Sequence, residues 1–157
     1  MNKNSFILSF LLILSFYYSA FASDNLKAIN SFFIGSEELS GDKNKDCNLD
    51  KNKIIRSVKY LILEAKIPTT ESYENNEVLY IQPIVVKAEN ICAGMITFQT
   101  FSFAEVANSG GNKGFMQLIS YNETKLVTES PSKFADFYLE MLEEMTLEFI
   151  NEWEKEN

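Results

Sequence analysis

The chain contains no histidine. That absence removes the usual general base near neutral pH, the commonest nitrogen ligand for metals, and any Ser-His or Cys-His pair. Basic residues are also scarce. Lys and Arg number 14 against 22 Asp and Glu, giving a formal charge of −8, and they form no cluster. Phosphate backbones and anionic lipid heads are both held by concentrated Lys and Arg. Neither nucleic acid nor an anionic membrane surface is therefore an expected partner. Only 3 Pro and 6 Gly are present, with no repeat, low-complexity tract or linker, so one domain is expected. Disorder is excluded for most of the length by 13 Phe and 7 Tyr.

There are 2 Cys, and the amino terminus gives them a context. Lys3 supplies a positive start, Phe6 to Tyr18 are almost purely apolar, and Ala20-Phe21-Ala22 is a small-x-small cleavage pattern. Residues 1–22 thus read as a signal peptide, with an apolar run too short to span a bilayer of ~30 Å. Residues 23–157 read as a single soluble domain, exported to the periplasm or beyond. Removing Lys3 makes the charge one unit more negative. No Cys follows the cleavage pattern, so a bacterial lipid anchor is not expected. In an oxidising compartment Cys47 and Cys92 should pair. Closing a loop of that length contributes roughly 3–4.5 kcal/mol on a chain-entropy estimate.

Residues 78–106 organise the remainder. Val78–Ala88 and Ile91–Val106 are rich in β-branched and aromatic residues and meet at Glu89-Asn90, as two strands of a hairpin. Pro83 cannot donate to a ladder, which predicts a bulge or an edge position there. The apolar pattern changes phase between Phe98 and Phe101, which predicts a bulge near Gln99. Before the hairpin, Ile29, Phe32 and Phe33 could mark a helix face, while Phe32-Phe33-Ile34 followed by Gly35 also suits a buried strand; periodicity alone does not separate the two, and a strand is the preferred reading. Asn48 or Asp50 caps a helix whose stripe runs through Leu49, Ile54, Val58, Leu61 and Ala65 until Pro68 stops it. Ile67 to Thr70 suit a short edge strand. After the hairpin, Phe115 to Thr124 read as a strand, with Leu126-Val127 extending it. Ser130-Pro131 starts a long helix with Phe134, Tyr138, Met141, Met145, Phe149 and Trp153 on one side and acids on the other. The order β-α-β-β-β-α predicts an α+β two-layer sandwich: a mainly antiparallel sheet of four to five strands with two helices on one face.

Three stretches invite chemistry. Asp42, Asn44, Asp46 and Asp50 stand at the spacing of a calcium loop of the EF-hand or dockerin kind, ahead of a helix. Cys47, however, replaces the turn Gly and Lys53 the twelfth carboxylate, so a helix-capping loop is the better reading and no metal is expected. Ser109 to Gly114 form a Gly-rich loop, but it leads into a strand and lacks the helix N-terminus that a phosphate cradle needs. Glu140, Glu144 and Glu148 share a helix face, where a solvated stripe is more ordinary than an acid/base pair. No cofactor or catalytic residue is expected. Leu79, Tyr80, Tyr121 and Trp153 would form a binding patch if they line an uncovered sheet face, but ordinary core filling is the better reading of such positions, because sequence does not assign the open face.

The element order, with Cys47 before the first helix, Leu79-Tyr80-Ile81 opening one strand, Cys92 in the next and Phe149-Ile150-Asn151-Glu152-Trp153 closing the last helix, resembles that of small uncharacterised α/β proteins secreted by bacteria. In outline it is also similar to the amino-terminal domain of the Tol-system propeller protein and to the curli-secretion lipoprotein, although the lipidation Cys of the latter is missing. The resemblance implies an envelope binding role. The expected function is a non-catalytic exported module that presents a sheet face or its acidic last helix to a protein partner. A carrier of small apolar ligands, with a pocket between helices and sheet, is the second reading. A carboxylate-based hydrolase is the third.

Overall fold

The computed structural model describes residues 26–27, 29–37, 39, 46–74, 76–107, 111 and 113–157. The expected signal peptide, Asp42 and Asn44 lie outside the described residues. Among the described residues no helix is long and apolar enough to cross a membrane.

The elements run β1 (Phe32–Ser36), α1 (Lys51–Glu64), β2 (Thr69–Thr70), β3 (Glu77–Ala88), β4 (Ile91–Ala107), β5 (Lys113–Glu129) and α2 (Pro131–Glu156). The sheet order is β2-β1-β3-β4-β5. β1 runs parallel to β2 and β3, whereas β3–β4 and β4–β5 are antiparallel hairpins. This is the α+β arrangement of two helices over a five-stranded, mostly antiparallel sheet. The parallel pair follows from connectivity: α1 carries the chain from the end of β1 back to its beginning, so the next strand starts beside it.

Local chemistry sets the boundaries. Asp50 caps α1 by accepting from the backbone N–H of Asn52 at 2.7 Å and of Lys53 at 3.1 Å. At the other end Lys66 turns left-handed with φ 60°, its N–H reaches the Leu63 carbonyl, and the Ile67 N–H reaches that of Ile62. Those two bonds are the Schellman pattern, normally closed by Gly, and they bury Ile67 against the helix it terminates. Ser130 and Pro131 begin α2 as expected. Pro83 sits without a bulge opposite Ile96. β1 has ended by then, its last partner on β3 being Ile81, so Pro83 needs no donor on that side. The bulge expected near Gln99 falls between Thr100 and Phe101, and the extra residue is Ser120 on β5. β4 itself alternates without a break. What changes there is the side on which its apolar residues lie.

The core is the helix-facing side of the sheet. Phe32, Leu79, Ile81, Ile96, Phe98 and Val127 point up, while Ile54, Val58 and Ile62 of α1 and Phe134, Tyr138, Leu142, Met145 and Phe149 of α2 point down. The Phe149 ring packs 5.5 Å from both Phe32 and Phe98 and 5.3 Å from Tyr121. Gly94 is required beneath α2, because a Cβ there would stand 2.8 Å from Cζ of Phe134. Cys47 and Cys92 are bonded at 2.01 Å and completely buried. They join the segment before α1 to the start of β4, and Lys87 adds a 3.3 Å ion pair to Asp46 beside them. The far ends meet as well: Glu156 accepts from the Leu26 N–H, and Asn157 donates to the Leu26 carbonyl.

Two stability predictions follow from this core. Replacing both cysteines (Cys47→Ala with Cys92→Ala) opens a 45-residue separation and should cost about 4 kcal/mol in denaturant unfolding. The Tyr138 hydroxyl is buried with no hydrogen-bond partner among the described residues. Tyr138→Phe should therefore stabilise by about 1 kcal/mol, read as a rise in thermal midpoint.

Candidate functional site

Both described helices take one side of the sheet, and among the described residues no helix lies on the other, where Val78 and Phe101 are nonetheless buried by their neighbours. The cross-strand pairs of that other side form an apolar row, Phe33 on β1, Val78 on β3, Phe101 on β4 and Ile119 on β5. The neighbouring row is Gly35, Tyr80, Gln99 and Asn122. The rings touch edge to face: Phe33 with Tyr73 at 6.1 Å, Tyr80 with Phe101 at 6.0 Å, and Phe101 with Phe103 at 5.5 Å. Between them lies a shallow cavity of about 400 Å³, bordered by Phe33, Gly35, Tyr73, Val78, Tyr80 and Phe101. Gly35 keeps it open, since a Cβ there would press on the Phe33 ring at 3.2 Å. At one margin Gln82 donates to Glu37 at 2.9 Å. Partial burial, and then the Glu37 charge, raise the Tyr80 phenol above its ordinary value.

A second cavity, about 820 Å³ and more open to polar groups, lies at the start of β3. Ser31, Asn76, Glu77, Ser102, Phe103 and Phe115 line it. Ser31 donates to Asn76 at 2.9 Å. The Ser120 hydroxyl donates to Glu77 and lies 2.7 Å from that of Thr100. Burial raises the Glu77 carboxyl above the usual value, with hydrogen bonds from Ser120 and Ser102 opposing the rise.

The four residues expected to share an open face do not share one. Tyr80 lies there. Leu79, its neighbour in sequence, alternates to the other side and is completely buried. Tyr121 also faces the helices, its ring 6.0 Å from Phe98 and its hydroxyl donating to Glu123 at 3.0 Å. Burial and that carboxylate push its phenol far up. Trp153 is on α2, half-buried against the core, its indole N–H buried without an acceptor among the described residues. The residues that do accompany Tyr80 are Phe33, Tyr73, Phe101 and Phe103. Sequence reasoning missed them, although the odd-numbered run Phe101, Phe103 in β4 carried the signal.

The remaining constellations resolve into structural work. Of the four oxygen ligands of the loop, Asp50 is engaged as the α1 cap and Asp46 pairs with Lys87. Glu148 and Glu144 gather around Lys125, at 3.1 and 3.9 Å, and Glu123 joins them at 3.2 Å. Lys125 hydrogen-bonds Glu148 and so lowers its carboxyl below the ordinary range. These acids share one ammonium and pin α2 to β5; Glu140 is exposed outside the group. Ser130-Pro131-Ser132-Lys133 has the Ser-x-x-Lys spacing of some nucleophilic hydrolases. Here it is the first turn of α2, with the Ser130 carbonyl accepting from the Lys133 and Phe134 N–H groups. Between sheet and helices, where a ligand pocket is one sequence expectation, the space is filled by completely buried side chains, Phe32, Phe98, Phe134 and Phe149 among them.

No protein-family profile matches the chain, and no curated protein does. Among solved structures, rare lipoprotein B from Shewanella oneidensis is similar at 9% identity and a TM-score of 0.29, over 80% of this chain and 92% of that one. A likeness that distant carries no argument about function, so the class rests on this chain's own architecture: an α+β sandwich, bridged by one disulfide, with an aromatic open face.

The Glu77 carboxyl gives a pH prediction. A raised folded-state value means that its contribution is fully present below the ordinary value near 4.5 and is lost as pH rises through the raised value. At pH 7 the ionised group therefore costs stability. Glu77→Gln, whose amide oxygen keeps the Ser120 bond, should raise the thermal midpoint at pH 7 by about 2 °C and give no gain in acid below the ordinary carboxylate range.

Proposed function

We propose that the chain is an exported, non-catalytic binding module whose open sheet face holds a protein partner. The observation that carries this reading is the ring row Phe33, Tyr73, Tyr80, Phe101 and Phe103 on the side that no helix covers among the described residues. Soluble proteins seldom leave contiguous apolar surface of several hundred Å² uncovered unless something docks there. Aromatic anchors beside a small cavity are the usual centre of such contacts. The Gln82–Glu37 pair at the margin supplies polar rim chemistry. The buried disulfide supports an oxidising compartment, periplasmic or extracellular. The packed core weighs against a carrier with its pocket between the layers, and the gathering of Glu144 and Glu148 around Lys125 weighs against their use as a hydrolase pair.

Affinity capture from the source's envelope fraction tests the reading. A partner retained by the wild-type protein should be lost at least tenfold on Tyr80→Ala or Phe103→Ala, each worth about 1.4 kcal/mol or more at a hot spot. Asp136→Lys and Glu140→Lys, on the acidic side of α2, should leave capture unchanged. The reverse pattern would move the partner to the helix and sink the open-face reading.

A further inference from the structure

Beyond the bulge, β4 and β5 leave the sheet as a two-stranded arm. From Lys113 to Ile119 every β5 residue is exposed, including Phe115 at 79%, Ile119 at 54%, Met116 at 51% and Leu118 at 46%. Pairing with β4 places Phe115 and Ile119 on the open side and Met116 and Leu118 on the helix side, so the ribbon is apolar on both faces. β5 is also the last strand of the sheet, and among the described residues nothing pairs with its outer edge. The lower half of that edge carries the devices that blunt strand addition, Asn122, Glu123, Thr124 and Lys125. The upper half has no Pro, and its one charge, Lys113, is neutralised by Glu105 at 2.6 Å.

Two properties define what would cover this arm. It must supply apolar surface to both faces, and it must satisfy a row of backbone donors and acceptors. Lipid does the first and fails the second, since an open strand edge is costly in hydrocarbon. Another strand does both. The sequence of the arm says which strand. A two-fold axis perpendicular to a sheet keeps each face on its own side, so an antiparallel strand can pair with its own copy only around a residue that lies on the axis. Centred on Gln117, Phe115 meets Ile119 of the second copy, Met116 meets Leu118, and the Gln117 amide meets its equivalent. Shifting the centre to Met116 would instead set Phe115 against Gln117 and Lys113 against Ile119. The Gln117 register also prolongs the apolar row Phe33, Val78, Phe101, Ile119 with Phe115 of the mate. At ~200 Å² for a large side chain, the exposed fractions present roughly 450 Å² of apolar area per protomer, of which lateral pairing covers a part. With the strand edge itself, that approaches the ~600 Å² per partner at the small end of specific interfaces.

We propose that two copies of this chain join edge to edge through residues 114–120 of β5, antiparallel and centred on Gln117, into one ten-stranded sheet with both open faces on the same side. This is independent of the partner reading above. A self-paired position brings its two Cα atoms to ~4.5–5.5 Å, within disulfide reach. The purified protein, its native disulfide intact, should therefore sediment as a dimer in the micromolar range. Gln117→Cys should cross-link it to completion under mild oxidation. Asn122→Cys, displaced from its own mate by about 30 Å in this register, should remain uncross-linked. Leu118→Lys with Ile119→Lys should raise the dissociation constant at least tenfold while circular dichroism shows the fold retained, as these side chains are exposed. A wild-type protein that stays monomeric, or Gln117→Cys cross-linking no faster than Asn122→Cys, would overturn the proposal. So would a monomer that floats with phosphatidylcholine vesicles, which would give the arm to lipid.

Discussion

The two layers of this molecule differ in length. α2 has 26 residues and β4 and β5 have 17 each. At ~1.5 Å per helical residue and ~3.3 Å per strand residue, the helix covers about 39 Å of strands about 56 Å long. The packing of α2 is fixed by ring contacts that admit little sliding, with Phe134 seated on Gly94 and Phe149 wedged between Phe32, Phe98 and Tyr121. Once those anchors are set, the last third of the hairpin has no helix above it among the described residues. The arm follows from this mismatch, and so does the mixed polar and apolar cavity at its base.

The same anchoring makes the sheet one-sided. Alternation along each strand sends every second residue to the face that the helices do not reach. In a soluble two-layer protein that face is ordinarily polar. Here it carries Phe33, Tyr80, Phe101 and Phe103, and among the described residues Tyr80 and Phe103 each pack edge to face on Phe101. The folding core therefore sits on one side and an aromatic face on the other, in a single sheet.

Charge reinforces this division. The acids of α2 face solvent or cluster on Lys125 at the β5 border, while the arm is close to neutral through the Glu105–Lys113 pair. A net charge of −8 opposes the meeting of two such acidic helices through mutual repulsion. It leaves the apolar, neutral surfaces as the places where contact costs least.

The sequence determined by itself the elements and their order. The Asp50 cap, the Ser130-Pro131 start, the Glu89-Asn90 turn and the pairing of two Cys are local or combinatorial signals, and each carries its own physical cause. It did not determine which side of the sheet each strand residue faces. Leu79 and Tyr80 are adjacent and both suited to a strand, and only the position of the helices sends one into the core and the other to the surface. The phase change read in β4 was real as a pattern, but its cause was a change of covered side rather than an irregular backbone; the extra residue, Ser120, belongs to the partner strand. The role of Gly94 and the fate of Tyr121 and Trp153 likewise depend on contacts between segments distant in the chain. Periodicity reports that a residue avoids water, whereas the layer it finds is a matter of what packs above it, and that is set by tertiary structure alone.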